Sequence, residues 1–391
     1  MNRILPRCAH FGLCGGCLLQ DVPYPDQVDE KRKRLEALLR EGDLQPAVPI
    51  SAIGMEDPWA YRSKMEFTFG QDGDRITLGL HQRASFQKIV EILRCEIASP
   101  AVNELLTALR EGVNRSGLKA YHPKTHQGFW RYAVVRASRR TGDLMLLLIT
   151  HEGSPEAMKA MAEFLPRRVP ALKSLYWGVS TKVSDVAVAE RMELVWGAEK
   201  LEDQVGPVRF EVGPTNFVQP NLLLASQVYR AIASGAGLTG REAVYDLYCG
   251  IGLIALSLAP GAKVVYGVES ERENVASAEC NARLNGISHA VFVWGKLEHV
   301  LKNRALFQAG PKADVIVLDP PRPGLHPDVF APVLEAGAAK LLYLSCNPVS
   351  LARDLKILLG RDSRYRLSSV QMFDFFPHTA HLEALAVLSR S

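Results

Sequence analysis

The chain has 391 residues, 47% of them hydrophobic, which is long for one domain and ample for packed cores. A net charge of +4 permits a polyanionic partner without requiring one. No apolar run reaches the ~18–20 residues that span a bilayer, and the opening residues lack the apolar core of a secretory signal, so no membrane partner is expected and the expected location is cytoplasmic.

The first chemistry-bearing stretch is "CAHFGLCGGC" (8–17), with Cys8, Cys14 and Cys17 spaced Cys-x5-Cys-x2-Cys. Seven cysteines, an odd number with no secretory signal, argue against a disulfide framework. A helix is expected over 25–41, with the basic start "DEKRKRLEALLR". That start suits a solvated face and phosphate contact equally well. "MEFTFG" and "RITLGLH" alternate as strands. Cys95, in "EILRCEIASP", is the other cysteine of the N-terminal half. Four thiolates suit a [4Fe-4S] cluster or structural zinc. The Gly15-Gly16 pair allows the loop to wrap tightly, and the spacing is not the Cys-x3-Cys-x2-Cys of radical enzymes. A redox-catalytic cluster is therefore not expected. "RYAVVRAS" and "DLMLLLIT" are further strands, and a helix is expected near 154–165. The tract "YHPKTHQGFWRYAVVRASRR" mixes Arg131, Arg136, Arg139 and Arg140 with aromatics, a composition suited to single-stranded RNA. "VGPTNFVQPN" (212–221) reads as a joint. The expected division is an α+β domain over 1–211, which carries the four cysteines and the RNA-suited tract, and a second domain over 212–391; the resemblance given below implies that the first is an iron–sulfur and RNA-binding domain.

Beyond the joint, strands and helices alternate. Strands are expected at 242–248, 263–269, 290–295, 314–321 and 339–346, and helices at 253–259 and 272–286. This pattern predicts an α/β, Rossmann-like fold with a mostly parallel sheet. The last segments, 370–377 and 382–388, read as edge or antiparallel strands. "DLYCGIG" (246–252) ends a strand in a glycine turn that lets backbone approach a ligand, and Glu269 closes the next strand, where a carboxylate can accept ribose hydroxyls. The turn is neither G-x-G-x-x-G nor a Walker loop, so the pair suits S-adenosylmethionine better than a dinucleotide. "LDPPRPG" (318–324) brings Asp319 to the same sheet edge. Its Arg322 stands where amino-methylating enzymes carry an aromatic. "LSCNP" brings Cys346 there. A thiolate beside a methyl donor can add to C6 of uracil and make C5 nucleophilic. The C5 proton must then leave to a base, and Glu383 in "PHTAHLE" is the candidate.

These motifs, with "CGGCLLQDVPYPDQVDEKRKRL", "YRSKMEFTFG" and "FVQPN", resemble in order and over nearly the whole chain the RNA uracil-C5 methyltransferases, which form 5-methyluridine. The resemblance implies Cys346 as nucleophile and Glu383 as base. It implies Gln219, Tyr248, Glu269 and Asp319 at S-adenosylmethionine or the uracil pocket, and Cys8, Cys14, Cys17 and Cys95 on a [4Fe-4S] cluster. The four cysteines, and a start seven residues before the first of them, with no room for a leading β-barrel domain, are most similar to the shorter 23S ribosomal RNA branch. Some archaeal tRNA enzymes share the layout, so tRNA is the alternative substrate. An inactive cluster-bearing RNA-binding protein is the non-enzyme alternative. No obligate protein partner is expected.

Overall fold

The computed structural model describes residues 3–85, 88–183, 186–302, 306 and 310–391. The chain forms two compact units. One comprises Met1–Pro23, Asp57–Asp203 and Val212–Thr215; the other comprises Tyr24–Glu56, Gln204–Glu211 and Asn216–Ser391. A single cut at 211/212 does not describe them, because residues 24–56 belong to the C-terminal unit.

The first unit is built on a seven-stranded sheet. Its spatial order is Ile89–Glu91, Arg75–His81, Lys64–Asp72, Trp130–Ala137, Leu144–Thr150, Leu172–Val179 and Arg191–Gly197. Neighbours are antiparallel except Leu144–Thr150 and Leu172–Val179, which run parallel. The intervening helix, Pro155–Arg168, makes that crossover possible. A further helix, Pro100–Arg115, was not expected from the sequence. Ser99 caps it by accepting the Val102 N–H, and Val102, Leu105, Leu106, Leu109 and Val113 form its buried stripe.

The second unit carries an eight-stranded sheet. Its order is Ser51–Ile53, Tyr365–Phe373, Glu383–Arg390, Lys340–Ser345, Val315–Leu318, Ala243–Leu247, Val264–Glu269 and Ala290–Trp294. The last five strands in this order are parallel. Every residue of Ala243–Leu247 and Val315–Leu318 is buried, as a sheet covered on both faces requires. The strand Glu383–Arg390 is inserted antiparallel to both its neighbours. Tyr365–Phe373 is not an edge strand, because Ser51–Ile53 pairs parallel with its outer side.

The helix Tyr24–Glu41 explains why 24–56 joins this unit. Leu35 and Leu39 enter its core, and the buried Lys31 ammonium lies 2.5 Å from the buried Asp374 carboxylate. Lys31 also donates to the Phe376 carbonyl at 3.2 Å. Such a pair holds two elements in one register rather than adding net stability. Among the described residues, no helix is long and apolar enough to cross a membrane.

Candidate active site

Because the strands of the second unit's parallel block share one direction, Tyr248, Glu269, Asp319 and Cys346 all stand at their carboxyl ends, the edge where open α/β sheets bind ligands. The glycine turn is tied to the neighbouring strand. The N–H groups of Tyr248 and Cys249 both donate to the Val268 carbonyl at 3.0 Å. The Gly250 N–H donates to Glu269 Oε2 at 3.0 Å, and the Glu271 N–H to Oε1 at 2.8 Å. Gly252 has φ of 85°, and a Cβ there would sit 3.0 Å from the Phe292 ring, so both backbone and space demand glycine. Tyr248 also has positive φ, 72°. Its half-buried ring packs on the unit's core, and burial pushes its phenol up to about 12. Gln219 is buried, two residues before Asn221, which caps the helix Leu222–Ala236.

A cluster of buried acids surrounds this turn. Asp246 Oδ2 accepts the Ala255 N–H at 2.9 Å, while Oδ1 has no partner among the described residues. Burial, then the charges of Asp319 and Glu269, push Asp246 up to about 8. Burial raises Asp319 to about 7. Asp246, with its unpartnered oxygen, and Asp319 are carboxyls held out of water, and a cationic ligand beside them would favour their ionised forms. A sulfonium with ribose hydroxyls fits that donor set.

Strand register brings the next two groups together. Ser345 pairs with Ala384 across antiparallel strands, so one step further along each strand stand Cys346 and Glu383. The turn after Cys346 is held by its neighbours. Ser345 Oγ donates to the Asn347 carbonyl at 3.0 Å, and Asn347 Oδ1 accepts the Val349 N–H at 3.1 Å to cap the helix Pro348–Arg361. The proline turn therefore fixes the thiol at the sheet edge instead of letting it enter the core. Arg322 crosses to it. The Arg322 carbonyl accepts from Asn347 Nδ2 and Ser350 Oγ at 3.0 and 3.1 Å. Its guanidinium reaches His381 Nδ1 at 2.8 Å, and its charge favours the thiolate of Cys346.

Burial, then the negative Glu383, push the Cys346 thiol up to about 11, against the opposing pull of Arg322. Glu383 is 1% exposed, and its Oε1 has no partner among the described residues. Burial, then Asp319, hold its carboxyl well above the usual range. The geometry thus pairs a thiol with an unsatisfied carboxyl suited to taking a proton. Two contributors were not singled out by sequence reasoning. Arg322 was read only as a missing aromatic, not as a partner of the thiol. Tyr229, on the helix Leu222–Ala236, is a buried phenol in the field of Asp319, Asp246 and Glu383, and no local motif marks it.

In the first unit, Cys8, Cys14, Cys17 and Cys95 line one cavity of about 20 Å³, walled by Phe11, Leu80, Ile92 and Ile97. All four are free thiols. Gly16 N–H donates to Cys14 Sγ at 3.3 Å. The loop is tied to the sheet by Gly15 N–H on the His81 carbonyl and Arg83 N–H on the Leu13 carbonyl. Among the described residues, no group of three or more His, Cys, Asp or Glu side chains is arranged to hold a metal ion.

Residues 23–391 match the family profile described as tRNA (uracil-5-)-methyltransferase. The chain belongs to that family. A protein of Caldanaerobacter subterraneus named as an uncharacterized RNA methyltransferase is 34% identical, over 100% of this chain and 85% of its own length. One of Listeria monocytogenes, similarly named, is 36% identical over 99% of this chain and 84% of its own length. The crystal structure of the Pyrococcus abyssi tRNA (uracil-54, C5)-methyltransferase with S-adenosyl-L-homocysteine matches at a TM-score of 0.78 and 28% identity, over 99% of this chain and 85% of that one. The chain is accordingly an S-adenosylmethionine-dependent RNA uracil-C5 methyltransferase of α/β methyltransferase fold.

Of the four arginines expected to suit RNA, the structure buries two. Arg131 is buried and donates to the carbonyls of Ser180 and Lys182 at 2.8 and 2.7 Å. Arg136 is buried and bonds the Pro214 carbonyl at 3.4 Å. Arg139 donates to the Ala60 carbonyl at 3.0 Å, and Arg140 pairs with Glu202. All four are engaged with the protein itself. Arg131 and Arg136 lie on the strand Trp130–Ala137, which is buried on both faces, whereas Arg139 and Arg140 lie beyond its end and are exposed.

Proposed function

We propose that the chain methylates C5 of a uridine in 23S ribosomal RNA, with Cys346 as nucleophile and Glu383 as base. The observation that carries the chemistry is the thiol and the buried carboxyl with an unpartnered oxygen, each one residue beyond the Ser345–Ala384 pair of adjacent antiparallel strands. The Cys346 thiolate adds to C6, and the electron pair moves to C5 as an enolate. C5 then takes the methyl group; S-adenosylmethionine supplies that methyl as an electrophile on its sulfonium. Glu383 removes the C5 proton, and the released pair expels the thiolate and restores the 5,6 double bond. Asp319, Glu269, Tyr248 and Gln219 hold the donor and the base. Glu269 is already aimed by two backbone N–H groups, and Asp319 belongs to the acid cluster that favours a cation.

The four-cysteine cavity supports the ribosomal substrate through the likeness of its layout to that branch. A tRNA substrate is the second reading, favoured by the Pyrococcus abyssi neighbour, which acts on uracil 54 of tRNA. Competition decides between them. With 23S fragments and unmodified tRNA transcripts offered together, labelled methyl groups are expected in the 23S RNA. Preferential labelling of tRNA overturns the assignment and leaves the chemistry intact.

The same reading places a [4Fe-4S] cluster on Cys8, Cys14, Cys17 and Cys95. The chemistry of four thiols suits it, although among the described residues they are not arranged as a metal-holding group. Four thiols converge on one apolar-walled cavity, and a backbone N–H donates to a sulfur, a contact that tunes such clusters. Anaerobically purified protein is expected to be brown, with about four irons and four sulfides per chain. Stoichiometric zinc without iron overturns the cluster.

A further inference from the structure

The first unit contains a cleft of about 750 Å³, within the ~300–1,000 Å³ range of ligand sites, lined in part by the start of the 121–140 tract. Its ionic lining is Arg75, Lys88, Lys124 and Arg131 against Asp72 and Glu91. Glu91 is already taken, since Arg75 grips its two oxygens at 2.6 and 3.2 Å. Lys88 and Lys124 are exposed and form no ion pair among the described residues. His122 adds a donor. Its Nδ1 accepts the N–H groups of Lys124 and Thr125, both at 3.3 Å, which leaves the neutral ring's proton on Nε2.

The aromatic lining has a different role. The Tyr121 ring has the His151 ring on it at 4.8 Å and the Arg131 guanidinium at 4.3 Å, so it is a packed wall and not an open stacking platform. The cleft therefore offers cations and donors for a backbone more than surfaces for bases. Phosphates contribute affinity and register in this way without sequence information.

We infer that this cleft binds a single-stranded phosphodiester segment of the substrate RNA outside the target uridine, through Lys88, Lys124 and His122. The inference rests on the RNA-methylating reading and adds a binding site to it. Each phosphate neutralised on a single strand contributes ~0.7 to the slope of log Kd against log salt. The Lys88→Ala, Lys124→Ala double variant should lower that slope by about 1.4 and weaken RNA binding about tenfold at moderate salt. KM for RNA should rise with it, while kcat at saturating RNA and affinity for S-adenosylmethionine stay at wild-type values. Lys159→Ala, on the exposed face of the helix Pro155–Arg168, should leave the slope unchanged. A wild-type slope in the double variant overturns the cleft as an RNA site while the methyltransferase reading stands. Absence of RNA binding and methyl transfer in the unsubstituted protein overturns both.

Discussion

Replacing Cys346 by alanine is expected to remove methyl transfer by ~10⁴-fold or more, the scale on which enzymes lose rate when a covalent nucleophile is deleted. Donor binding should stay within about twofold of wild type, since the acid cluster and the glycine turn use no atom of this thiol. Single-turnover transfer and equilibrium binding of labelled S-adenosylmethionine measure the two effects separately. Turnover above a few per cent of wild type would exclude the covalent route. The pH dependence carries the same signature. The thiol's pKa is raised to about 11, so the reactive thiolate is scarce at neutral pH and grows as pH rises. Glu383 is likewise raised, and it too must be deprotonated to accept the C5 proton. Both effects have one sign. The rate should increase through the neutral and mildly alkaline range and fall on acidification.

Glu383→Gln should instead trap the enzyme on its substrate. Addition of the thiolate and methylation at C5 need no base, but release requires removal of the C5 proton. A covalent protein–RNA adduct carrying the new methyl should persist on a denaturing gel, with turnover reduced ~10²–10⁴-fold, the usual contribution of a general base. The substitution also removes the group that, when ionised, raises the Cys346 pKa, so adduct formation should be no slower than in the wild type. An adduct absent in the presence of both substrates would show that Glu383 has another role.

The C-terminal half was legible from the sequence because its fold is written in short buried strands, and a strand end is a local property. The stretch expected as a strand at 339–346 is observed as Lys340–Ser345, and that at 263–269 as Val264–Glu269. The facing of Cys346 and Glu383 was not legible, because it depends on one strand being inserted between two others. Nor was the environment of Tyr229, whose neighbours come from three separate strand ends. The helix Pro100–Arg115 was missed although its signals were present: Ser99-Pro100 at its start and apolar residues at 102, 105, 106, 109 and 113. Arg131 and Arg136 misled for the opposite reason. Their composition was suggestive, while their burial depends on tertiary packing.

The buried Lys31–Asp374 pair has a consequence for dissecting the molecule. A clone beginning at the 212–221 joint would retain every motif of the reaction chemistry yet strand the Asp374 carboxylate inside its core. Uncompensated burial of that kind costs ~3–5 kcal/mol, a large share of a domain's whole stability. A workable catalytic module must therefore be spliced, with residues 24–56 joined by a linker to residues 204–391. In genetic terms, the segment Asp57–Asp203 occupies the position of an insert between two stretches of the second unit.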